Sequence, residues 1–355
     1  MKGSRRANVL ITAVQVPFTR GGAEVLVDGL KRELVKRDFC VDVVSLPFSA
    51  QPKELLLDQL FLWRSLQLGA FAGRKVDLVI STKFPSYLIN HPNKVVWLVH
   101  QHRQLYDLYG SYFGDFSADP HDENLRRMLI EADLAALREC QRIFAISDNV
   151  GERVKRYLSL DSTTMMPPLP LGDRYRSDNA DNYILSVGRI CSIKRVDKLI
   201  KALPQIDSQL KAIIVGTSDE PSIDAYLKSE IDRHHLWERV QLMGRVSDEE
   251  LLSLYSRAYA IYYAPYDEDY GFVTLESLAS GKPVITACDS GGVLGFVSHE
   301  ENGLVVEPTE ESIAVGINRL WQDKELYNRL CNGARSFALQ ASWDDIIEQL
   351  TSTIV

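Results

Sequence analysis

Ala264-Pro265-Tyr266-Asp267-Glu268-Asp269-Tyr270-Gly271-Phe272-Val273-Thr274-Leu275-Glu276-Ser277-Leu278-Ala279-Ser280-Gly281-Lys282-Pro283-Val284-Ile285 reads as the end of one buried strand, an acidic loop, a helix, and the start of the next strand. Gly271 opens the helix, which would leave the amides of Phe272, Val273 and Thr274 as unpaired donors suited to phosphate oxygens. Glu268 and Glu276 flank that turn, eight residues apart. Carboxylates so placed can accept hydrogen bonds from several hydroxyls, as a sugar or a ribose demands. An acidic surface loop followed by a helix-stabilising glutamate is the plainer reading of the same residues.

Outward from this stretch the same rhythm recurs. Tyr183–Val187, Ala212–Val215, Val240–Met243, Ala260–Ala264 and Pro283–Thr286 are short apolar runs with helical stretches between them. Toward the N-terminus, Val9–Val14 precedes the helix-like Ala23–Arg37, and Val41–Leu46 precedes Lys53–Ala72. Leu78–Ser81, Val95–His100 and Ile143–Ser147 follow, the last leading into Asn149–Leu158. Runs without strict alternation suit strands buried on both faces, and strand–helix alternation implies a parallel sheet. The rhythm breaks at Met165-Met166-Pro167-Pro168-Leu169-Pro170, which cannot be helical throughout. The expected class is α/β, with two Rossmann-like doubly wound domains facing across a cleft. The first spans 1–172 and the second 173–341; 342–355 forms a last helix that packs back on the first domain.

The chain has 355 residues and a formal net charge of −8. Residues 1–173 carry 22 basic and 20 acidic residues, leaving 18 and 28 for the remainder. A half with that acidic excess is a poor partner for nucleic acid, whose binding needs cationic fields, whereas a small phosphorylated ligand needs only a few aimed donors. No apolar run approaches the ~20 residues that cross a bilayer. The start, Met1 to Arg6 followed by Val9-Leu10-Ile11-Thr12, superficially imitates a signal peptide, but Thr12 and Gln15 interrupt it and it reads as a first strand. Cys40, Cys140, Cys191, Cys288 and Cys331 are widely spaced, which fits reduced core thiols in a cytoplasmic protein and no zinc site.

Ligands of open α/β sheets bind at the carboxyl ends of strands. Gly21 and Gly22, after the first strand, let the backbone approach a ligand and open a helix whose N-terminus favours anions; a tight connection would use the same residues. His100 and His102 follow the fourth strand, where a near-neutral imidazole can exchange a proton or simply bond neighbouring backbone. In Gly188-Arg189-Ile190-Cys191-Ser192-Ile193-Lys194-Arg195 the glycine allows close approach, and Arg189 with Lys194 could clamp a diphosphate. Tyr106 and Tyr109, in an aromatic-rich run, could stack on an acceptor sugar or pack.

These motifs together resemble the retaining glycosyltransferases of family 4, which have the two-domain GT-B fold. The resemblance rests on Gly-Gly-Ala-Glu at 21–24, the histidine after a central strand, Gly188-Arg189 with Lys194, Glu268 with Glu276, Gly281-Lys282-Pro283-Val284-Ile285, and Ser290-Gly291-Gly292. It implies that Arg189 and Lys194 hold a donor diphosphate, Glu268 contacts the transferred sugar and Glu276 binds the ribose. Backbone at Gly244-Arg245-Val246 would receive the base, and His100 would serve in catalysis, with His102 on the acceptor side. The implied activity is metal-independent transfer of a sugar, with retention, from a nucleotide-diphosphate sugar to a glycan, lipid-linked glycan or small molecule. No cofactor or metal is implied beyond that co-substrate.

The sequence departs from the family pattern in three places: Thr217-Ser218-Asp219 after Gly216, Arg195 after the lysine, and no acid in Val293–Phe296. Asp267 and Asp269 imitate a DxD metal motif, against which their place before a glycine-opened helix speaks. A nucleotide-sugar 2-epimerase of the same fold and a catalytically silent nucleotide-sugar-binding subunit are the alternative readings. Lys31-Arg32, Lys36-Arg37, Arg126-Arg127 and Arg153, Lys155, Arg156 form basic helical faces that suit peripheral contact of the first domain with the cytoplasmic membrane face. Scattered surface charge would look the same.

Overall fold

The computed structural model of the chain describes residues 6–218, 220–337 and 341–354; the signal-like start at residues 1–5, Asp219 of the family departure, 338–340 and Val355 lie outside the described residues. The chain divides into two units, residues 1–170 with 341–355 and residues 171–340. Among the described residues no helix is long and apolar enough to cross a membrane.

The first unit is built on six parallel strands, β1 (Asn8–Gln15), β2 (Cys40–Pro47), β3 (Leu78–Ser81), β4 (Lys94–Leu98), β5 (Arg142–Ala145) and β6 (Thr163–Thr164), in the order β2-β1-β3-β4-β5-β6. Every residue of β3 and β4 is buried, so these strands need apolar side chains on both faces. The helices are α1 (Gly22–Lys36), α2 (Leu55–Ser65), α3 (Pro120–Arg138) and α4 (Asp148–Leu158). Asp119 caps α3 by accepting the amides of His121 and Asp122, with Pro120 in the first turn. The last helix, α11 (Trp343–Thr351), belongs to this unit. Its Trp343 ring meets Trp97 edge-on at 6.0 Å, and a Cβ added to Gly29 of α1 would lie 3.0 Å from the Trp343 ring.

Three sequence expectations change here. The helix read over Lys53–Ala72 stops at Ser65, and a two-residue hairpin, Ala70–Phe71 with Arg74–Lys75, follows it, turning through Gly73 at φ 76°. The strand read over Val95–His100 stops at Leu98, because the chain then bends to pair Val99 with Thr82 and Phe84 with His100. Cys40 and Cys288 are exposed rather than core thiols, and all five cysteines are free.

The second unit has six parallel strands, β7 (Tyr183–Val187), β8 (Lys211–Val215), β9 (Val240–Gly244), β10 (Ala260–Tyr262), β11 (Val284–Ala287) and β12 (Gly303–Val306). Their order is β9-β8-β7-β10-β11-β12. Helices α5 (Val196–Ala202), α6 (Pro221–Arg233), α7 (Asp248–Arg257), α8 (Phe272–Ala279), α9 (Glu310–Gln322) and α10 (Lys324–Ser336) accompany them. Ile184, Ile200, Ala212, Ile231, Ile285, Ile313 and Leu330 share one buried cluster. The strand order reverses between β7 and β10, and a doubly wound sheet opens its ligand crevice at that reversal, outside the carboxyl ends of the strands.

Candidate functional site

The reversal point carries the densest chemistry of the second unit. Beyond β7 the chain passes Gly188 (φ 132°) and Arg189, then makes a short turn, Ser192–Lys194. Gly188 donates to the carbonyl of Val215 at 3.0 Å, and Ile190 to that of Thr217 at 2.9 Å. Gly216 (φ 141°) lies so near that a Cβ on it would sit 1.8 Å from the Gly188 carbonyl oxygen. Gly216→Ala therefore combines overpacking with a backbone only glycine adopts, together roughly 2–6 kcal/mol. The expected result is a much lower Tm; a Tm within a degree of wild type would disprove this close approach.

Lys194 turns back under the β10 loop. Its ammonium forms an ion pair with the Glu268 carboxylate and donates to the Tyr263 hydroxyl at 3.0 Å. Burial alone would lower its pKa, but Glu268 and Tyr263 outweigh burial and hold it above the ordinary lysine value. Arg195 has φ 53° and ψ 36°, a left-handed backbone that glycine adopts most easily. In this chain the arginine holds the conformation through its side chain, donating to the carbonyls of Ala264 (2.8 Å) and Pro265 (2.6 Å) and bidentately to Asp289 (2.9 and 2.7 Å). Sequence reading counted Arg195 among the cations at this edge and as a departure from the family pattern; its fork instead fixes the loop that carries Glu268.

That loop is stitched by backbone. Tyr266 donates to Ile193, Asp267 to Asp289 and Glu268 to Ser290, while Gly292 donates to Glu268 at 2.7 Å. Ser290-Gly291-Gly292 thus packs against the loop, and a Cβ on Gly292 would lie 2.5 Å from the Asp269 carbonyl oxygen. Gly271 (φ 86°) starts α8, where a Cβ would press on Val293 and Tyr263 at 3.1 and 3.2 Å. The Thr274 amide donates to the Gly271 carbonyl at 2.9 Å. This corrects the expectation of three open amides, since that of Thr274 is taken within the turn.

Glu276, on α8, is nearly buried and accepts the Tyr255 hydroxyl at 2.7 Å. Burial raises its pKa, and the hydrogen bond only partly opposes this. Gly244 (φ 67°) accepts the Gly216 amide at 2.8 Å, so Arg245 and Val246 leave the sheet at the same carboxyl edge. The buried Lys282 donates to the Asp178 carbonyl at 2.9 Å, which makes it a structural tie.

In the first unit, the carboxyl edge of β1 and β3 holds Gly21 and Gly22. Gly21 has extended backbone, and its amide is taken by the Glu24 carboxylate at 2.8 Å. Glu24 also pairs with the buried Lys83 at 3.0 Å, an ion pair that draws its pKa down although burial opposes it. The anion predicted at this helix start is therefore met first by the chain's own Glu24. Lys83 escaped sequence reading; its signal is its place two residues beyond β3.

The Nδ1 of His100 lies 2.7 Å from the Gln101 carbonyl. His102 packs against Phe84 and Phe48, with ring centroids 5.4 and 6.2 Å away, and burial pulls its pKa down to about 4. That neutral packed ring corrects its acceptor-side expectation. Tyr106 is corrected likewise: it is buried, with its hydroxyl on the buried Asp133 at 2.5 Å, and burial lifts the Asp133 pKa to about 6. Asp133 lies in register with Leu125, Leu129 and Leu137 on the buried face of α3, a carboxylate on an apolar stripe that sequence reading passed over. Tyr109 is half-buried, its hydroxyl on Glu123 and its ring under the Arg126 guanidinium at 4.0 Å. Among the described residues no group of three His, Cys, Asp or Glu side chains is placed to hold a metal ion.

Two doubly wound parallel sheets in one chain, the second with a cation–carboxylate pair and a glycine-opened helix at its reversal point, define the GT-B class of glycosyltransferase folds. Residues 173–337 match the family described as Glycosyl transferases group 1. It is 31% identical over 173 residues to an uncharacterized glycosyltransferase of Methanocaldococcus jannaschii, an alignment covering 48% of this chain and 43% of that protein. The chain thus spans less than half the length of that relative. It is 26% identical over 346 residues to D-inositol 3-phosphate glycosyltransferase of Salinispora arenicola, covering 87% of this chain and 76% of that protein. Its fold superposes on Anabaena HepE, solved in complex with UDP and glucose, with a TM-score of 0.70, 18% identity and coverage of 98% and 99% of the two chains.

Proposed function

We propose that the protein transfers a sugar from a nucleoside-diphosphate sugar to a hydroxyl acceptor, with retention and without a metal ion. The observation that carries this reading is the Lys194–Glu268 pair beside the start of α8, at the reversal point of the second sheet. As the glycosidic bond breaks, negative charge builds on the leaving diphosphate. Lys194, Arg189 and the amides of Phe272 and Val273 stabilise that charge from fixed positions, so little reorganisation accompanies the reaction. Glu268 meets the sugar's hydroxyls and Glu276 the ribose. The leaving phosphate takes the acceptor's proton on the face it departs from, which gives retention without a protein nucleophile. His100 stands at the carboxyl edge of the first sheet as a hydrogen-bonding group that orients a substrate hydroxyl while the leaving phosphate takes the proton. A lipid-linked acceptor would bring the protein to a membrane surface. The similarity to proteins described with UDP and with inositol phosphate supports a uridine donor and a small polyol or glycan acceptor.

A thermal-shift panel of uridine, guanosine and adenosine diphosphate sugars tests this reading. A ligand at a hundred times its Kd stabilises the fold by about 2.7 kcal/mol. One nucleotide class should raise Tm in EDTA as strongly as in Mg²⁺. No shift with any donor removes the donor site, and a shift that needs Mg²⁺ or Mn²⁺ removes metal independence.

A further inference from the structure

Tyr263 follows β10 directly, at the reversal point of the second sheet. Its amide donates to the Ile285 carbonyl at 3.0 Å, so the sheet fixes where the side chain starts, and the residue is buried. The ring makes two contacts that phenylalanine would make equally. It packs against the start of α8, where a Cβ on Gly271 would lie 3.2 Å from it, and the Lys194 ammonium stands 5.3 Å from its centroid.

The hydroxyl does something phenylalanine cannot. It accepts from Lys194 at 3.0 Å and hydrogen-bonds Glu268. Burial first, and Glu268 second, push the phenol's pKa up although Lys194 opposes them, so the phenol keeps its proton and gives it to the carboxylate. One ammonium, one hydroxyl and one carboxylate therefore form a closed set. In that set Lys194 and Glu268 neutralise each other, whereas a bound donor needs them on different groups: the ammonium on the diphosphate, the carboxylate on sugar hydroxyls. An ammonium has three donors and a carboxylate about four acceptor sites, so each can take up a ligand and still keep its bond to one hydroxyl.

We propose that Tyr263 is a positioning residue of this site, whose hydroxyl holds Lys194 and Glu268 in place when a nucleoside-diphosphate sugar draws the two charges apart. The inference rests on the donor site proposed above. Its consequence is a separation of turnover from binding. The ground-state donor presents full phosphate charge and several hydroxyls, and tolerates a small displacement of either side chain. The charge that develops as the glycosidic bond breaks rewards only groups already aimed at it.

Tyr263→Phe tests this, with Tyr259→Phe for comparison. The Tyr259 hydroxyl is also buried, but it lies at the amino end of β10 and donates to the Leu320 carbonyl at 2.8 Å. The assay uses whichever uridine, guanosine or adenosine diphosphate sugar raises the wild-type Tm most, well below the Tm of either variant. Tyr263→Phe should lower kcat for sugar release or transfer by about tenfold or more, the loss expected for a hydrogen bond to a charged group, while the donor Kd from isothermal titration changes by less than about threefold. Tyr259→Phe should lower Tm and leave kcat as in wild type. A Tyr263→Phe variant with wild-type kcat overturns the inference and leaves the donor site standing. A Kd raised about tenfold with kcat unchanged also overturns it, because the hydroxyl would then be a ligand contact. A fall in kcat shared by Tyr259→Phe overturns it in favour of a general loosening of the fold. If no nucleotide-sugar shifts Tm, the donor reading falls and this inference falls with it.

Discussion

Lys194→Ala lowers kcat/KM by about a thousandfold, measured as sugar release or transfer from the nucleotide-sugar that stabilises the protein. Removing one preorganised donor from a developing oxyanion costs roughly 10²–10³ in rate, and Lys194 is the cation that Glu268 and Tyr263 hold in place at this site. Its effect should be nearly independent of pH. The sign follows from its raised pKa: a lysine whose folded value lies above its unfolded one keeps its contribution below the unfolded value and loses it only as pH rises through the folded one. Lys194 therefore stays charged across the pH range of such an assay. Lys194→Arg should recover only part of the rate, because a planar fork cannot take the ammonium's place between Glu268 and Tyr263.

The same substitution should lower Tm. Breaking a fully buried ion pair costs about 3–5 kcal/mol, and less here because the two side chains keep 18% and 17% of their exposure. Most of that cost is the uncompensated Glu268 carboxylate. Adding Glu268→Ala to Lys194→Ala should therefore recover Tm while activity stays lost. A double variant no more stable than the single one would mean that Glu268 and Lys194 are not energetically paired.

Lys194 and Glu268 also show where sequence reading stops. Each was legible alone, from a glycine turn after a strand and from a glycine-opened helix. Their contact joins residues 74 apart and depends on the parallel register of β7 with β10. Buried strands such as Leu78–Ser81 and Tyr183–Val187 were readable to the residue, because burial on both faces leaves an unbroken apolar run. The edge strands β6 and β12 were not: Thr163–Thr164 is exposed and β12 is only half covered. The failure at α2 has a related cause. Seven apolar residues predict a longer buried helix, whereas the structure buries only Leu56 and Trp63 fully, leaves Phe61 and Leu62 exposed, and turns the chain through Gly69 and Gly73. Lys83 and Asp133 were missed because a single polar residue on an apolar element acquires meaning only from the partner folding brings to it.

Glu276→Gln should make the protein more stable and its donor site worse. The carboxylate is buried, and burial raises its pKa more than the Tyr255 hydrogen bond lowers it. For an acid whose folded pKa is raised, the ionised form costs stability above the unfolded value, and that cost fades as pH falls through the folded value. Glutamine keeps the shape and can still accept from Tyr255, but it carries no charge to desolvate. Its Tm should exceed that of wild type at neutral pH, with the gap closing toward acid pH. Binding runs the other way, since hydrogen bonds from ribose hydroxyls to a carboxylate contribute about 1.5–3 kcal/mol. Losing that charge should raise the donor Kd by roughly 10- to 150-fold, read by isothermal titration. A variant that binds as tightly as wild type would remove Glu276 from the donor site. One that melts lower would mean that the carboxylate is held by partners worth more than its desolvation. The opposite signs are the informative part: a residue kept only for packing has no reason to hold a buried charge that the fold would be more stable without, whereas a ribose anchor does.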